Sequence, residues 1–389
     1  MIGQCRLSRR GLVTEAAALL CLVLSLVNLI SIILAALRIR TPSRLPPPEG
    51  PVEPVTVVRP VCGLEPCIEQ TLASGFVLDY PRYEQIFCVA RSDDPVVPLI
   101  RKLMADHPGV ASRLLVGDDR ISPNPKLNNC VKGWEAARSE WVILADSNVL
   151  MPPDYIQQLL TSWRPDTGLV CSTPIGSQPG GFWAEVECAF LNSLQARWQY
   201  AGESLGLGFA QGKSMLWRRS FLEAQGGIRR LAAEIAEDAA ATKLVREAGL
   251  HVHLVSSPFE QPLGTRTARQ VWIRQIRWAR LRRVTFPLFF APEILIGGAL
   301  PLLAGAYAAH NSGYNLPATL AGLAVLWYGA EFMLARSKGW HMSWRYPLVC
   351  LVRDCVLPAI WAYAWVGKNV VWRGNAMTIQ VRREMAFQD

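Results

Sequence analysis

The sequence predicts an α/β domain with a mostly parallel sheet, preceded by an N-terminal transmembrane anchor and followed by C-terminal membrane helices. Three observations predict this class. Hydrophobic residues make up 51% of the 389-residue chain and charged residues only 18%, whereas an ordinary soluble domain carries about 25% charged residues. Strand-like and helix-like runs alternate in the middle of the chain, which indicates a parallel sheet. Long apolar runs lie towards both ends.

The first predicted unit is a membrane anchor, residues 1–40. Its uncharged apolar run 16–37 is long enough to cross a bilayer core, which takes about 20 residues. The run is too long for the core of a signal peptide, and no small-residue cleavage site follows it, so we expect it to remain in the chain. Residues 41–54 contain six prolines and are therefore expected to form a stiff, non-helical linker.

Residues 55–284 are predicted to form one globular α/β domain. We expect four strands and three helices in its first half, with the strands at 55–58, 85–89, 112–116 and 141–145, and the helices at 67–74, 96–105 and 126–137. In a parallel sheet, ligands bind at the carboxyl ends of the strands, where loops and helix starts meet. That edge is therefore the place to look for functional side chains.

The chain becomes apolar again over residues 285–370, where membrane segments are predicted at 289–309 and 316–334. A third apolar segment, 346–366, contains Arg353 and Asp354. Charged side chains are costly in the middle of a membrane, so we expect this segment to lie in the interface or to face other helices, and we favour the interface. Residues 371–389 form a basic tail.

The net charge of +9 fits the basic flanks of a membrane protein. It also fits a protein that binds anionic lipid heads or a nucleotide diphosphate. No nucleic-acid motif accompanies the charge, so we expect no nucleic-acid partner. The ten cysteines show no paired C-x-x-C spacing, so buried, reduced thiols are expected rather than a zinc site.

Acidic side chains follow two predicted strands and open one predicted helix. Asp93 and Asp94 follow the second strand, Asp146 follows the fourth, and Glu237 and Asp238 begin an alanine-rich helix. Each group alone is an ordinary turn or helix-start pattern. Together they place three sets of carboxylates in one domain, in a plausible order for a sugar transfer from a nucleotide diphosphate.

That chemistry assigns a role to each set. The charge of a leaving diphosphate must be neutralised by a metal or by cationic side chains. A hard ion such as Mg²⁺ or Mn²⁺ takes one or two carboxylates plus phosphate oxygens, and Asp146 is the expected ligand. A separate carboxylate must accept the proton of the acceptor hydroxyl. We assign Asp238 to that role and Glu237 to support of the loop or of the acceptor.

Basic residues supply the other half of the expected site. Arg274 and Arg277 are spaced to project from one face of a helix, where they are suited to hold a diphosphate, and Trp278 is placed to pack on an acceptor at the membrane. The alternative is an amphipathic helix that lies on anionic lipid. Lys126, at a helix start, is expected to meet the nucleotide phosphates or to be a solvated lysine beside a capping Asn.

Taken jointly, these motifs resemble the ceramide glucosyltransferases, glycosyltransferase family 21. The matching stretches are Arg-Pro-Val-Cys-Gly-Leu-Glu-Pro at 59–66, Leu-Asp-Tyr-Pro at 78–81, Ser-Asp-Asp-Pro at 92–95, Asn-Pro-Lys-Leu-Asn-Asn at 124–129, Asp-Ser at 146–147, Ala-Glu-Asp at 236–238 and Arg-x-x-Arg-Trp at 274–278. The resemblance implies a GT-A fold and an inverting transfer of glucose from UDP-glucose to the primary hydroxyl of ceramide, at the cytosolic face of the membrane.

The resemblance also implies the roles of individual residues. Asp94 and Asp146 help to hold UDP and the metal, with Asp93 beside them. Asp238 is the base. Arg274, Arg277 and Trp278 complete the site. Apart from what the resemblance implies, we expect Asp93 and Lys126 to bind the donor and Glu237 and Gln195 to lie on the acceptor side.

This sequence departs from the family pattern at three positions. Arg91 stands where an acid is expected, Asn148 replaces the second Asp of a D-x-D pair, and Gln195 stands where the animal enzymes have a His linked to donor binding. The donor and acceptor are therefore left open between UDP-glucose with ceramide and UDP-GlcNAc, UDP-galactose or UDP-glucuronate with a hopanoid or other lipid. A non-catalytic lipid-binding scaffold is the alternative from another class. The expected location is the bacterial inner membrane, with a cytosolic catalytic domain.

Overall fold

The computed structural model describes residues 9–41, 43–367, 369–372 and 375–378. Its strands are β1 (Val55–Pro60), β2 (Tyr83–Val89), β3 (Ala111–Val116), β4 (Trp141–Ala145), β5 (Thr167–Cys171), β6 (Ile175–Pro179), β7 (Ser214–Arg218), β8 (His251–Leu254), β9 (Glu260–Gly264), β10 (Asn369–Trp372) and β11 (Asn375–Thr378). The expected basic tail lies almost wholly outside the described residues.

The helices of the globular domain are α2 (Ile68–Ala73), α3 (Val97–Asp106), α4 (Pro125–Ala136), α5 (Tyr155–Thr161), α6 (Phe182–Ala189), α7 (Arg197–Ser204), α8 (Arg219–Ala224), α9 (Glu237–Glu247) and α10 (Ala268–Thr285). A π-helical turn, Phe190–Ala196, joins α6 to α7. The apolar helices outside the domain are α1 (Arg9–Arg38), α11 (Pro287–Phe290), α12 (Ala299–Asn311), α13 (Leu316–Ser337) and α14 (Tyr346–Trp365).

Seven strands form the central sheet in the order β3-β2-β1-β4-β7-β5-β8. The pairs among β1, β2, β3 and β4 are parallel, as is the pair β5–β8. Strand β7 runs antiparallel to both of its neighbours, β4 and β5. The expectation of a mostly parallel sheet is therefore confirmed. The antiparallel strand β7 is the part that the alternation of strands and helices did not predict.

The carboxyl end of β4 and the beginning of β7 lie side by side because these two strands are antiparallel. Ala145 pairs with Ser214, and one residue further on the backbone N–H of Asp146 donates to the carbonyl of Lys213 at 2.9 Å. Asp146 and Lys213 are distant in the sequence. They thus meet at the edge where parallel sheets bind ligands.

A buried arginine fixes the turn that follows β4. Arg59, in β1, is fully buried, and its guanidinium donates to the carbonyls of Thr71 at 2.9 Å and Ser147 at 3.2 Å. Charge-assisted bonds to backbone carbonyls satisfy an arginine that has lost its water. The Asp146 turn is therefore anchored by a side chain of the neighbouring strand, β1.

Three described helices, α1, α13 and α14, are long and apolar enough to cross a membrane. The predicted span 289–309 is interrupted instead: α11 and a 3₁₀ turn, Ala291–Leu295, meet α12 at an angle of 43°. Pro292 within that turn and the Gly297-Gly298 pair after it explain the break, since proline and glycine interrupt helices.

The charges of helix α14 are buried inside the protein. Arg353 pairs with Glu331 of α13 at 2.9 Å and with Asp354 at 2.8 Å, and Glu331 also pairs with Arg197 of α7 at 3.1 Å. All four side chains are fully buried. Asp354 further accepts a hydrogen bond from the Gly298 backbone at 2.7 Å. The network holds together the break before α12, the helices α13 and α14, and the start of α7.

Helix α14 runs along the globular domain. Just before it, Ser343 donates to Glu185 of α6 at 2.8 Å, and just after it the carbonyl of Val366 accepts from Arg280 of α10 at 2.9 Å. This course suits the expected interfacial position, which stays a prediction because length and composition also allow a span. That prediction was based on the cost of exposing Arg353 and Asp354 to lipid. Both side chains are instead paired and buried inside the protein.

We expect Arg353→Met to destabilise the protein. Removing one partner of a buried ion network leaves an uncompensated buried charge and costs about 3–5 kcal/mol. Thermal unfolding of the purified protein in detergent measures the effect. Arg336→Met, at an exposed position of α13, is the matched control, and equal melting temperatures for the two variants would contradict a stabilising role for the network.

Candidate active site

A single large cavity lies at the carboxyl edge of the sheet and extends towards the membrane helices. Its volume is about 2090 Å³, whereas small-molecule pockets usually span about 300–1,000 Å³. At its polar end the cavity is lined by residues from the turns after β2 and β4 and from the starts of α4 and α9, among them Asp94, Lys126, Asp146, Glu237 and Asp238. The three acidic groups that were expected to act together therefore all contribute side chains to this cavity.

Lys126 joins two of those turns. Its ammonium lies 2.7 Å from Asp146 Oδ1 and 2.5 Å from Glu237 Oε1, and it also donates a short hydrogen bond to the carbonyl of Gly212. Burial alone would lower the pKa of Lys126, but the two carboxylates outweigh it and hold that pKa above its ordinary value. Lys126 is therefore a charged bridge between the end of β4 and the start of α9.

Helix α4 places this lysine through its cap. The side chain of Asn124 accepts from the backbone N–H groups of Lys126 and Leu127, which is the usual role of Asn before a helix. The same side chain donates its amide Nδ2–H to Glu237 Oε2 at 2.6 Å. Both oxygens of Glu237 are thus engaged inside the protein. The geometry favours Glu237 as support for Lys126, and its contact with an acceptor stays a prediction.

Asp238 is half-buried and lines the cavity. Its carboxylate accepts from the backbone N–H groups of Gly212 at 3.2 Å and Ala239 at 2.8 Å. Burial and the neighbouring charge of Glu237 raise its pKa to about 6, against the lowering effect of Lys126. A carboxylate with a raised pKa that faces a cavity is suited to accept a proton near neutral pH.

Asp146 is held by two lysines. Besides Lys126, the ammonium of Lys213 lies 2.9 Å from Asp146 Oδ2, and it also donates to Asn148 Oδ1 at 2.9 Å. Burial would raise the pKa of Asp146, but the two ammonium groups outweigh it and hold that pKa well below its usual range. Sequence reasoning missed Lys213 because its position depends on the antiparallel pairing of β7 with β4.

The first acidic turn divides into two residues with different positions. Asp94 lines the cavity and accepts from the backbone N–H groups of Gly63 at 2.9 Å and Val96 at 3.0 Å. Asp93 is exposed and pairs with Arg91. It lies outside the residues that line the cavity. The structure therefore brings Asp94 to the site and leaves donor binding by Asp93 without geometric support.

Helix α10 contributes the basic side of the cavity through Arg274, Arg277 and Trp278. Arg274 forms a short ion pair with the buried Glu187 of α6, and its guanidinium lies 5.6 Å from the Trp278 ring centroid. Gln195, on the π-helical turn, also lines the cavity and donates to Gln211 at 3.0 Å. Glu187, which orients Arg274, was not anticipated from the sequence.

The other end of the cavity is apolar. It is lined by one face of the anchor helix α1 and by aromatic and aliphatic side chains around α11 and α14, namely Val23, Leu24, Val27, Ile30, Leu34, Phe286, Phe289, Phe290, Leu357 and Ile360. The anchor is therefore part of the cavity wall. A polar cluster and an apolar groove in one continuous space suit a ligand pair that is charged at one end and hydrocarbon at the other.

Comparison with known families agrees with this geometry. The sequence profile of glycosyl transferase family 21 matches residues 22–385, nearly the whole chain. The chain belongs to glycosyl transferase family 21. It is thus a glycosyltransferase, and the resemblance drawn from its motifs is confirmed.

Relatives of this glycosyltransferase share about a quarter of its residues. It is 26% identical over 335 residues to ceramide glucosyltransferase 1 of Caenorhabditis elegans, in an alignment that covers 84% of this chain and 72% of the worm protein. It is also 26% identical over 434 residues to the ceramide glucosyltransferase of Komagataella phaffii, covering 86% and 84% of the two chains.

A solved structure supports the fold. The mannosyltransferase of Pyrobaculum calidifontis, in complex with GDP-Man and Mn²⁺, aligns with a TM-score of 0.51 and 19% identity over 87% of this chain and 99% of that protein. The expected GT-A-like α/β fold is therefore confirmed for the transferase.

The residues at the end of β4 fit a divalent ion only in part. Within the described residues, no three His, Cys, Asp or Glu side chains form a metal-binding group. Asp146 and Asn148 nevertheless present two oxygens to the same ammonium of Lys213. Mg²⁺ and Mn²⁺ accept oxygen ligands and are often held by one or two protein groups, with substrate phosphates filling other positions. This donor set would therefore hold an ion only together with oxygens of a bound phosphate.

We expect Gly212→Ala to disturb the polar end of the cavity. A Cβ there would lie 2.6 Å from Glu237 Oε1, 2.8 Å from Lys126 Nζ and 3.5 Å from Asp238 Oδ2. Overpacking of this kind costs about 1–3 kcal/mol, so the free energy of unfolding should fall by that amount in a thermal or denaturant titration. At Gly109 an added Cβ meets no atom within 4 Å, so Gly109→Ala should leave stability nearly unchanged. Equal stability of the two variants would show that the side chains around Gly212 can accommodate a Cβ atom.

Proposed function

We propose that this family 21 transferase moves glucose from UDP-glucose to the primary hydroxyl of ceramide, with inversion at the sugar. Two aligned relatives are named ceramide glucosyltransferases. The observation that carries the proposal is the single cavity that joins the Lys126, Asp146 and Asp238 cluster to the apolar face of α1. A charged donor and a hydrocarbon acceptor need those two environments side by side.

The apolar groove has the dimensions of a lipid chain. Val23 and Leu34 of α1 both line it, and at 1.5 Å per helical residue they lie roughly 16 Å apart. Burial of hydrocarbon against that face contributes about 0.8 kcal/mol per methylene. A lipid seated there with its hydroxyl at the polar end presents that hydroxyl to Asp238.

The proposed reaction is one displacement. The acceptor oxygen bonds to the anomeric carbon as the bond from that carbon to the UDP oxygen breaks, and the hydroxyl proton passes to a carboxylate oxygen of Asp238. The pair of electrons in the broken bond leaves with UDP. Arg274 and Arg277, on the basic side of the cavity, neutralise charge that develops on the diphosphate.

A divalent ion, Mg²⁺ or Mn²⁺, is proposed as the cofactor. Asp146 and Asn148 would hold it, and when bound it supplies positive charge to the leaving diphosphate. The support from this chain is the pair of oxygens at the end of β4.

We place the catalytic domain on the cytosolic side of the membrane, in the bacterial inner membrane. Lys338, just after α13, donates to the carbonyls of Ala36 and Ile39 at the end of α1. The basic residues that follow these two helices therefore collect at one end of the bundle, the end that adjoins the globular domain. A cytosolic position of that end agrees with the excess of Lys and Arg on cytosolic flanks, although Arg9 and Arg10 make the other end of α1 basic as well.

The experiment that tests the function is a panel of donors and acceptors. Purified transferase is incubated with UDP-glucose, UDP-galactose, UDP-GlcNAc or UDP-glucuronate and with ceramide or a hopanoid, and the products are read by mass spectrometry. Glucosylceramide with stoichiometric release of UDP is the expected result. A glycosylated hopanoid, without glucosylceramide, would identify the hopanoid as the acceptor in place of ceramide. Absence of lipid-dependent UDP release from every donor would favour the non-catalytic scaffold.

We expect Asp238→Asn to lower the turnover rate by about 10²–10⁴-fold, the usual contribution of a general base. UDP binding, measured by calorimetry, should change little because the amide has the shape of the carboxylate. Asp106→Asn, at an exposed position of α3, is the control and should retain full activity. Full activity in the Asp238 variant would rule out its role as base.

The pH dependence of activity provides an independent test of the same residue. Since the pKa of Asp238 is raised to about 6 and a base acts in its deprotonated form, activity should be complete well above pH 6. Below pH 6 it should fall about tenfold per pH unit. Measured kcat/KM between pH 5 and 8 checks this, and a flat profile over that range would contradict it.

A further inference from the structure

We propose that Lys213, and not Lys126, is the lysine that contacts the diphosphate of the donor, and that it competes with the divalent ion for Asp146. The proposal concerns the nucleotide diphosphate and rests on the donor half of the proposed function. It does not depend on which lipid is the acceptor.

The hydrogen-bond donors of Lys126 are all engaged within the protein. An ammonium group has three N–H donors and no acceptor. Lys126 has three acceptors around it, Asp146, Glu237 and the carbonyl of Gly212. Its donors are therefore all used inside the protein. The sequence expectation that Lys126 meets a phosphate is not favoured by this arrangement.

Lys213 differs in this respect. Among the described residues its ammonium has two acceptors, Asp146 Oδ2 and Asn148 Oδ1, each at 2.9 Å. Its side chain is 16% exposed and lines the cavity. The third N–H is therefore left for a ligand, which in this cavity is a phosphate oxygen.

The two lysines also differ in the negative charge around them. Lys126 lies between two carboxylates, whereas Lys213 shares its one carboxylate, Asp146, with Lys126. Arg274, another cation at this end of the cavity, is already paired with Glu187. Lys213 therefore has less compensating negative charge than Lys126, and an anion in the cavity can supply it.

Lys213 occupies the oxygens that a divalent ion would use. Asp146 Oδ2 and Asn148 Oδ1 are those two oxygens, and the Lys213 ammonium lies 2.9 Å from each of them. An ion bound to the same oxygens would be repelled by that ammonium. The flexible stem of lysine lets its ammonium move to the diphosphate when the ion and the nucleotide arrive together. Lys213 then keeps the two oxygens in place while the donor is absent.

The test is a pair of binding measurements on the full-length protein in detergent. Lys213→Met should weaken UDP binding in EDTA, measured by calorimetry, by about 10- to 100-fold, the value of one charge-assisted hydrogen bond. The same variant should bind Mn²⁺ alone several-fold more tightly, measured by electron paramagnetic resonance, because a competing positive charge is gone. Lys213→Arg keeps the charge, so both of its affinities should lie between those of the wild type and those of Lys213→Met.

Lys243→Met is the matched control. It removes one positive charge from the same domain, where Lys243 pairs with Glu234 outside the cavity, and both affinities should stay at the wild-type values. Unchanged UDP affinity in Lys213→Met would overturn the proposal, as would weaker binding of Mn²⁺ alone.

Two further outcomes are distinguishable. If Lys213→Met lowers the melting temperature, Lys213→Gln, which can still donate to Asp146 and Asn148 without a charge, replaces it. Weak UDP binding at normal stability then supports the proposal, and normal UDP binding overturns it. If the wild type binds GDP and not UDP, the proposed donor is wrong, and the same comparison with GDP tests Lys213, since the diphosphate is common to both.

Discussion

The ammonium of Lys126 is the contact on which the polar site depends. It connects the turn after β4, through Asp146, to the start of α9, through Glu237. Without a cation between them, these two carboxylates and Asp238 would repel each other in a partly dry cavity. The bridge holds Asp146 and Glu237 in place, and burial and the charge of Glu237 raise the pKa of Asp238 beside them. Asp146 and Glu237, which pair with Lys126, therefore have a structural role, whereas Asp238 is the carboxylate suited to accept a proton.

The backbone around that bridge is equally constrained. Gly212 supplies a carbonyl to Lys126 and an N–H to Asp238, and it has no space for a side chain. The next residue, Lys213, pairs with Asp146 Oδ2, whereas Lys126 pairs with Asp146 Oδ1. Both residues precede β7, so the pairing of β7 with β4 decides where all of these groups meet. The sheet and the chemistry of the site are therefore set by the same strand register.

The apolar helices are part of the site as well as candidate membrane spans. Helix α1 forms one wall of the cavity, and its last turn is tied to the domain by Arg38, which pairs with Glu203 at 2.6 Å. The buried network of Arg197, Glu331 and Arg353 joins the bundle to α7. Helix α7 continues the π-helical turn that carries Gln195. Catalytic domain and membrane bundle thus share one cavity and one set of buried charges.

The sequence by itself determined the strands and helices of the first half of the domain, because alternation of apolar runs and turn residues is a local signal. Helix α4, expected at 126–137 and found at Pro125–Ala136, is an example. It also determined that acids at 94, 146 and 238 belong together, through motifs shared with a family. Only the tertiary structure showed that Lys213 shares Asp146 with Lys126, that Arg353 is paired inside the bundle, and that Asp93 is exposed and does not line the cavity. Those facts depend on contacts between residues distant in sequence, and no local pattern encodes an antiparallel β7 between β4 and β5.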